Sequence, residues 1–324
     1  MAELMIAGLA LVLLIGLTVL ARHKIRMIET RFAPTGTFID VDGTRLHYRR
    51  TGPRSSVPLL VLHGASSNHL DSHEALGEAL ADQDVIWLDR PGLGWSERPA
   101  KEPWSPADEA ALIARFLDAL DIHTIDLMGH SWGAAIAARF ALDHSERVRC
   151  LVLLAPALAA YIGDPGWFNS VSRWPVFGPL FVHLILPLAG EKALDDGASR
   201  AFAPETAPGD YSTRTALPLI LRPRAWMANA SDMVHANPHL ELQERRYHEL
   251  DLPVFILAGP RDSVVWTHRH TTLTARRLPD AIVHLPAQAG HNPHHSYADD
   301  ILAGLAQART RALSRETHSS AETA

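Results

Sequence analysis

The feature that most constrains this chain is a series of short, unbroken apolar runs separated by helix-like stretches. Residues 58–63 read PLLVLH, 84–88 DVIWL, 124–128 TIDLM and 148–155 VRCLVLLA, and 253–258 and 281–285 complete the series. A strand without polar alternation must be covered on both faces, the situation of a mostly parallel sheet flanked by helices. The intervening segments fit. Residues 71–81 and 132–144 have helical spacing, as does a stretch near 267–277. Ser105-Pro106-Ala107-Asp108 is a capping box with proline in the first turn, opening a helix whose apolar face is Leu112, Ile113, Phe116, Leu117 and Leu120. At the start, Asp42-Gly43 between 38–41 and 45–49 signals a two-residue hairpin.

One region breaks the rhythm. Residues 157–250 contain no clear strand and many prolines, yet hold ten of the chain's 22 aromatic residues, among them Tyr161, Trp167, Phe168, Trp174, Phe177, Phe181 and Trp226. An aromatic-rich insertion between two core strands reads as a helical cap over a pocket, with most of these rings packing the cap onto the core. The expected organisation is therefore an α/β core in two parts, 36–156 and 251–312, interrupted by the cap at 157–250. A polar tail at 313–324 is expected to lack structure.

Residues 4–21 (LMIAGLALVLLIGLTVLA) carry no charge. Eighteen residues at 1.5 Å each give a helix of about 27 Å, close to the thickness of the bilayer hydrocarbon. The start is acidic (Glu3), Val19-Leu20-Ala21 is a poor cleavage site, and Arg22, Lys24, Arg26 and Arg31 follow the run. The expectation is a single-pass anchor within residues 1–27, with the lipid bilayer as partner of residues 4–21 and the remaining chain on the cytoplasmic side.

Gly129-His130-Ser131-Trp132-Gly133 matches G-x-S-x-G where an expected strand turns into an expected helix. A nucleophile on such an elbow has a strained backbone, and side chains two residues away would collide with the crossing chain. A serine hydroxyl needs a base, and among 19 histidines position selects His291, just beyond the last expected strand. Asp262, directly after the preceding strand, is the acid that would orient it. All three fall at the C-terminal ends of parallel strands, where open α/β sheets place their sites.

In order and spacing, FIDVDGTRLHYRRTG, LVLHGASS, DRPGLGWSERP and GHSWG resemble the α/β-hydrolase fold superfamily over roughly residues 36–310, and most closely its capped esterase, lipase and carbon–carbon hydrolase branch. Relatives that open epoxides or remove halide carry Asp where this chain has Ser131. The resemblance implies an oxyanion hole from the backbone N–H groups of Trp132 and Ala65, with Ser66 as the reserve. It also implies structural roles for His63, Asp89, Arg90 and Ser96.

Other chemistries find little support. With net charge −6 and scattered Lys and Arg there is no basic stripe for nucleic acid. Cys150 is the single cysteine, and neither His291/His294/His295 nor His268/His270 has acidic or cysteine partners at ligand spacing, so no metal is expected. No G-x-G-x-x-G follows a strand, so no cofactor is expected. The reading is a serine hydrolase acting on a small, moderately apolar ester-like substrate. A carbon–carbon hydrolase, an iminopeptidase-like amidase or a perhydrolase could use the same three residues, and a non-catalytic binding module could retain the same fold. Oligomeric state stays open.

Overall fold

The computed structural model describes residues 1–160 and 166–322. Eight strands form one sheet: β1 (Thr37–Val41), β2 (Thr44–Thr51), β3 (Leu59–Leu62), β4 (Val85–Leu88), β5 (Ile125–His130), β6 (Val148–Leu154), β7 (Val254–Leu257) and β8 (Ala281–His284). Their spatial order is β1-β2-β4-β3-β5-β6-β7-β8. β1 and β2 form the hairpin across Asp42-Gly43, β2 runs antiparallel to β4, and the remaining pairs are parallel.

Successive strand residues face opposite sides of a sheet, and here both sides are covered. Leu60 and Leu62 join Ile113 and Phe116 of α3 (Pro106–Ala119) and Ile136 and Phe140 of α4 (Trp132–Asp143). Leu59 and Val61 join Leu76 of α2 (His69–Leu76) and Ile301 and Leu305 of α11 (Ala298–Glu322). This two-sided burial is why the strands read as unbroken apolar runs. Each fully buried leucine contributes about 2 kcal/mol. The capping box forms as the sequence predicts: the Asp108 N–H donates to Ser105 Oγ, and Asp108 accepts from the Ser105 N–H.

Between β6 and β7 the chain leaves the sheet for α5 (Trp167–Ser172), α6 (Phe177–Leu180), a π-helical turn (Phe181–Ile185), α7 (Leu186–Phe202), α8 (Tyr211–Arg214) and α9 (Pro223–Gln243). α10 (Leu273–Ala275) lies between β7 and β8. The cap is less separate than the expected 157–250 boundary implies, because Ala236 and Leu240 of α9, with Tyr247 and Leu250, join the principal core. The cap aromatics divide into two groups. Phe181, Phe202, Tyr211, Trp226 and Tyr247 are buried, but Trp167, Phe168, Trp174 and Phe177 are exposed, since among the described residues no element covers that side of α5 and α6. Tyr161 lies outside the described residues.

The N-terminal segment is one helix, α1 (Ala2–Arg31). Its uncharged part is largely exposed, with Ala21 buried at its end, while Ile28, with Phe32 just beyond the end of the helix, packs into a cluster with Phe181, Leu186 and Trp226 of the cap. It has the length and apolarity of a membrane span or of a signal sequence. At the other end, α11 runs through residues 313–322, which were expected to lack structure. Arg315 binds Asp251 and Asp280, which ties this polar stretch to the core; residues 323–324 lie outside the description.

Candidate active site

The C-terminal edge of the parallel strands gathers Ser131, Asp262 and His291. Ser131 follows β5 directly and precedes α4, with φ 52° and ψ −117°, a conformation costly for a residue with a side chain. Two glycines make the turn possible. A Cβ on Gly129 would come within 2.5 Å of the Gly133 carbonyl oxygen, and one on Gly133 within 2.4 Å of the Leu62 and His63 carbonyl oxygens.

His291 Nε2 lies 3.0 Å from Ser131 Oγ, and His291 Nδ1 lies 2.8 Å from Asp262 Oδ2. An ionised carboxylate only accepts, so Nδ1 carries the proton and Nε2 is free to accept from the hydroxyl. Asp262 is itself fixed: its other oxygen accepts from the N–H groups of Val264 and Val265 at 2.8 and 2.9 Å. Ser131, Asp262 and His291 all have side chains nearly closed to solvent, so the relay sits in a medium that strengthens its electrostatics.

The loop after β3 carries the two candidate oxyanion donors that the sequence nominated besides Trp132. They separate clearly. The Ser66 N–H donates to Asn229 Oδ1 at 2.6 Å and is therefore engaged, whereas among the described residues the Ala65 and Trp132 N–H groups meet no acceptor. Asn229 comes from α9 of the cap, 163 residues away, and no local signal in the sequence marks it.

Structural histidines surround the site. His63 donates from Nδ1 to the Gly64 carbonyl (2.9 Å) and accepts at Nε2 from the Arg90 N–H (3.0 Å), so it is neutral; burial lowers its pKa to about 3. His130 points Nε2 at the His291 carbonyl at 2.8 Å, and burial holds it well below the usual imidazole range.

Asp89 accepts from His47, from the ring and backbone of His69, and from the Trp95 N–H, which shapes the loop after β4. Asp71 likewise accepts from His294, His295 and the Tyr211 hydroxyl. Burial alone would raise both carboxyls, but the facing imidazoles outweigh it and hold them well below the usual range. In each group one carboxylate stands between two imidazoles, at 2.8–3.1 Å. For His294 and His295 the structure corrects the sequence reading: an acid, Asp71, does stand beside them, brought from a distant part of the chain. Hydrogen bonding accounts for both arrangements.

Cap and core are also joined by buried charge. Arg90 forms a bidentate pair with Glu109 and reaches Asp232 of α9 at 3.1 Å, and Asp232 is paired in turn with Arg98 at 2.8 Å. Two cations and two carboxylates balance, a condition for burying charge without a large penalty.

A sequence model of the alpha/beta hydrolase fold matches residues 57–296. A poly(3-hydroxyalkanoate) depolymerase of Ectopseudomonas oleovorans is 41% identical over 112 residues, 34% of this chain and 39% of that protein. A 2-hydroxymuconate semialdehyde hydrolase of Pseudomonas putida is 28% identical over 258 residues, covering 76% of this chain and 84% of the relative. The first curated relatives are thus matched over half their length or less, and longer alignments come at lower identity. Among solved structures, a membrane phospholipase A, titled a novel bacterial virulence factor, superposes with TM-score 0.64 at 20% identity, over 95% of this chain and 97% of that one; this is likeness of fold.

Proposed function

The chain belongs to the alpha/beta hydrolase fold family, and from that premise we propose that it is a serine hydrolase cleaving a carboxylic ester-like bond through an acyl-enzyme. The observation that carries this reading is the unbroken contact from Asp262 through His291 to Ser131 Oγ, at 2.8 and 3.0 Å.

In the proposed reaction Ser131 Oγ attacks the carbonyl carbon while His291 Nε2 takes its proton. Asp262 keeps the imidazole in the required tautomer and stabilises the imidazolium. The tetrahedral oxygen receives hydrogen bonds from the Ala65 and Trp132 N–H groups, each worth about 3–4 kcal/mol of barrier. His291 then protonates the departing alcohol. In the second half it removes a proton from water, which attacks the acyl carbon and releases Ser131. A moderately apolar substrate suits the aromatic cap. We read α1 as a membrane anchor, on the strength of its exposed uncharged run and the basic residues that follow.

A second reading has its own support: the relative aligned over 84% of its length is a semialdehyde hydrolase, so the same residues could serve carbon–carbon cleavage. The test is turnover of p-nitrophenyl esters of graded acyl length, set beside a dienoic keto-acid, together with labelling by a fluorophosphonate. Ester turnover and labelling in the wild type, both absent in Ser131→Ala, are expected. Turnover of the keto-acid alone would select the second reading, and neither turnover nor labelling would overturn both.

A further inference from the structure

The cap carries an apolar face that no other part of the chain covers among the described residues. Trp167, Trp174, Val176, Phe177, Leu180 and Ile185 are all at least 42% exposed, with Val176 at 87% and Trp167 at 64%. Isolated exposed apolar residues are ordinary, but a contiguous group marks an interaction surface. Across residues 166–190 the only ionisable side chains are Arg173 and His183, and there is no carboxylate.

The position of this face relative to α1 identifies its partner. α6, the π-helical turn and α7 form one continuous helical rod, Phe177–Phe202, which packs beside α1. Lys24 reaches Glu191, and farther along α1 Arg31 shares one cleft with Leu194, Asp195 and Ala198. The two rods therefore run in the same sense. α1 packs against the π-helical turn Phe181–Ile185 as well as against α7, which brings it next to the exposed face. Ala21, at the end of the uncharged run, is buried. Charge also begins at one height on both rods, at Arg22 and Lys24 on α1 and at Glu191 on the cap. Apart from His183 and Arg173, which pairs with Glu102 at 3.3 Å, the surface carries no charge, and a surface of this kind beside the uncharged run of α1 faces the same medium.

We propose that residues 167–185 of the cap enter the same lipid bilayer as α1, so that the chain meets the membrane through two adjoining elements. The exposed tryptophans suit the boundary between headgroups and acyl chains, where aromatic residues concentrate. This rests on the reading of α1 as an anchor, and the experiment keeps the two apart.

Single cysteines at Val12→Cys, Val176→Cys and Glu146→Cys are introduced into the full chain, each labelled with an environment-sensitive fluorophore. The native Cys150 is buried and leaves the labelling specific. Glu146 is exposed just before β6, at the end of the sheet away from the cap, and serves as the aqueous reference. The proteins are reconstituted into phosphatidylcholine vesicles containing either brominated or unbrominated lipid, and iodide is titrated separately. The proposal expects brominated lipid to quench positions 12 and 176 several-fold more than position 146, and iodide to do the reverse. Lipid quenching at 12 with only iodide quenching at 176 would overturn the proposal and leave the anchor standing. Lipid quenching at neither position would remove the anchor reading and the proposal with it. Shielding of 176 from both quenchers, with crosslinking between labelled chains, would assign the face to a second copy and equally overturn it.

Discussion

His130 donates from Nε2 to the backbone carbonyl of His291 at 2.8 Å, so the residue before the nucleophile holds the residue proposed to activate it. A carbonyl only accepts, which fixes the His130 proton on Nε2. Replacing His130 with Ala should lower kcat by about tenfold to a hundredfold with little change in KM, because the imidazole of His291 loses its backbone constraint. Gln can donate from a similar distance, so His130→Gln should recover most of the rate. Steady-state kinetics on a soluble ester compares the three proteins, and equal loss in Ala and Gln would show that the bond is unimportant.

Asn229 should matter to turnover although it lies on the cap. Its side-chain oxygen holds the Ser66 N–H at 2.6 Å and so fixes the loop that presents Ala65. Asn229→Ala should cost about tenfold in kcat, less than removal of an oxyanion donor itself. Asn229→Asp, which keeps the acceptor, should retain more activity. Fluorophosphonate labelling rates should fall in the same order.

The Ser131 backbone is a reservoir of strain, with φ 52° and ψ −117°. Glycine tolerates such a conformation but loses more chain entropy on folding. Ser131→Gly should therefore abolish activity while stabilising the fold by about 1 kcal/mol, read as a higher midpoint in urea. A lower midpoint would contradict the strain.

Acid should destabilise the fold well before the carboxylates titrate. In the unfolded chain His63 takes up a proton near 6.5, whereas burial in the fold lowers its pKa to about 3. The unfolded state thus binds more protons, and the associated stability is complete above pH 6.5 and lost as pH falls from 6.5 toward 3. At pH 5 the loss from this one group is about 2 kcal/mol. His130 and His294, both lowered by burial, act in the same direction. Urea midpoints at pH 7.5, 6 and 5 should decline steadily, and His63→Gln should show a shallower decline from a lower start.

The parts of this molecule that local sequence could reveal are those whose causes are local. Two-sided burial leaves unbroken apolar runs, an elbow leaves Gly129 and Gly133, and loops after β7 and β8 leave Asp262 and His291 at strand ends. What escaped reading depends on distant encounters. Asn229 meets Ser66 across 163 residues, and Asp71 meets His295 across 224, so neither pairing leaves a spacing to find. The exposure of Trp174 and Phe177 escaped for a related reason: an aromatic residue reads as core unless one knows that nothing packs above it. Residues 313–322 look like a solvated tail, yet Arg315 finds Asp251 and Asp280 on the core.

α9 performs two jobs at once. It forms a wall of the cap, and through Asn229 and Asp232 it supplies an amide oxygen to the loop beneath and a carboxylate to Arg90 and Arg98. This helix therefore cannot be changed freely without touching the loop after β3. Any segment exchanged for this helix, by recombination or by a protein engineer, must restore both groups or leave Arg98 without its carboxylate and Arg90 with Glu109 alone.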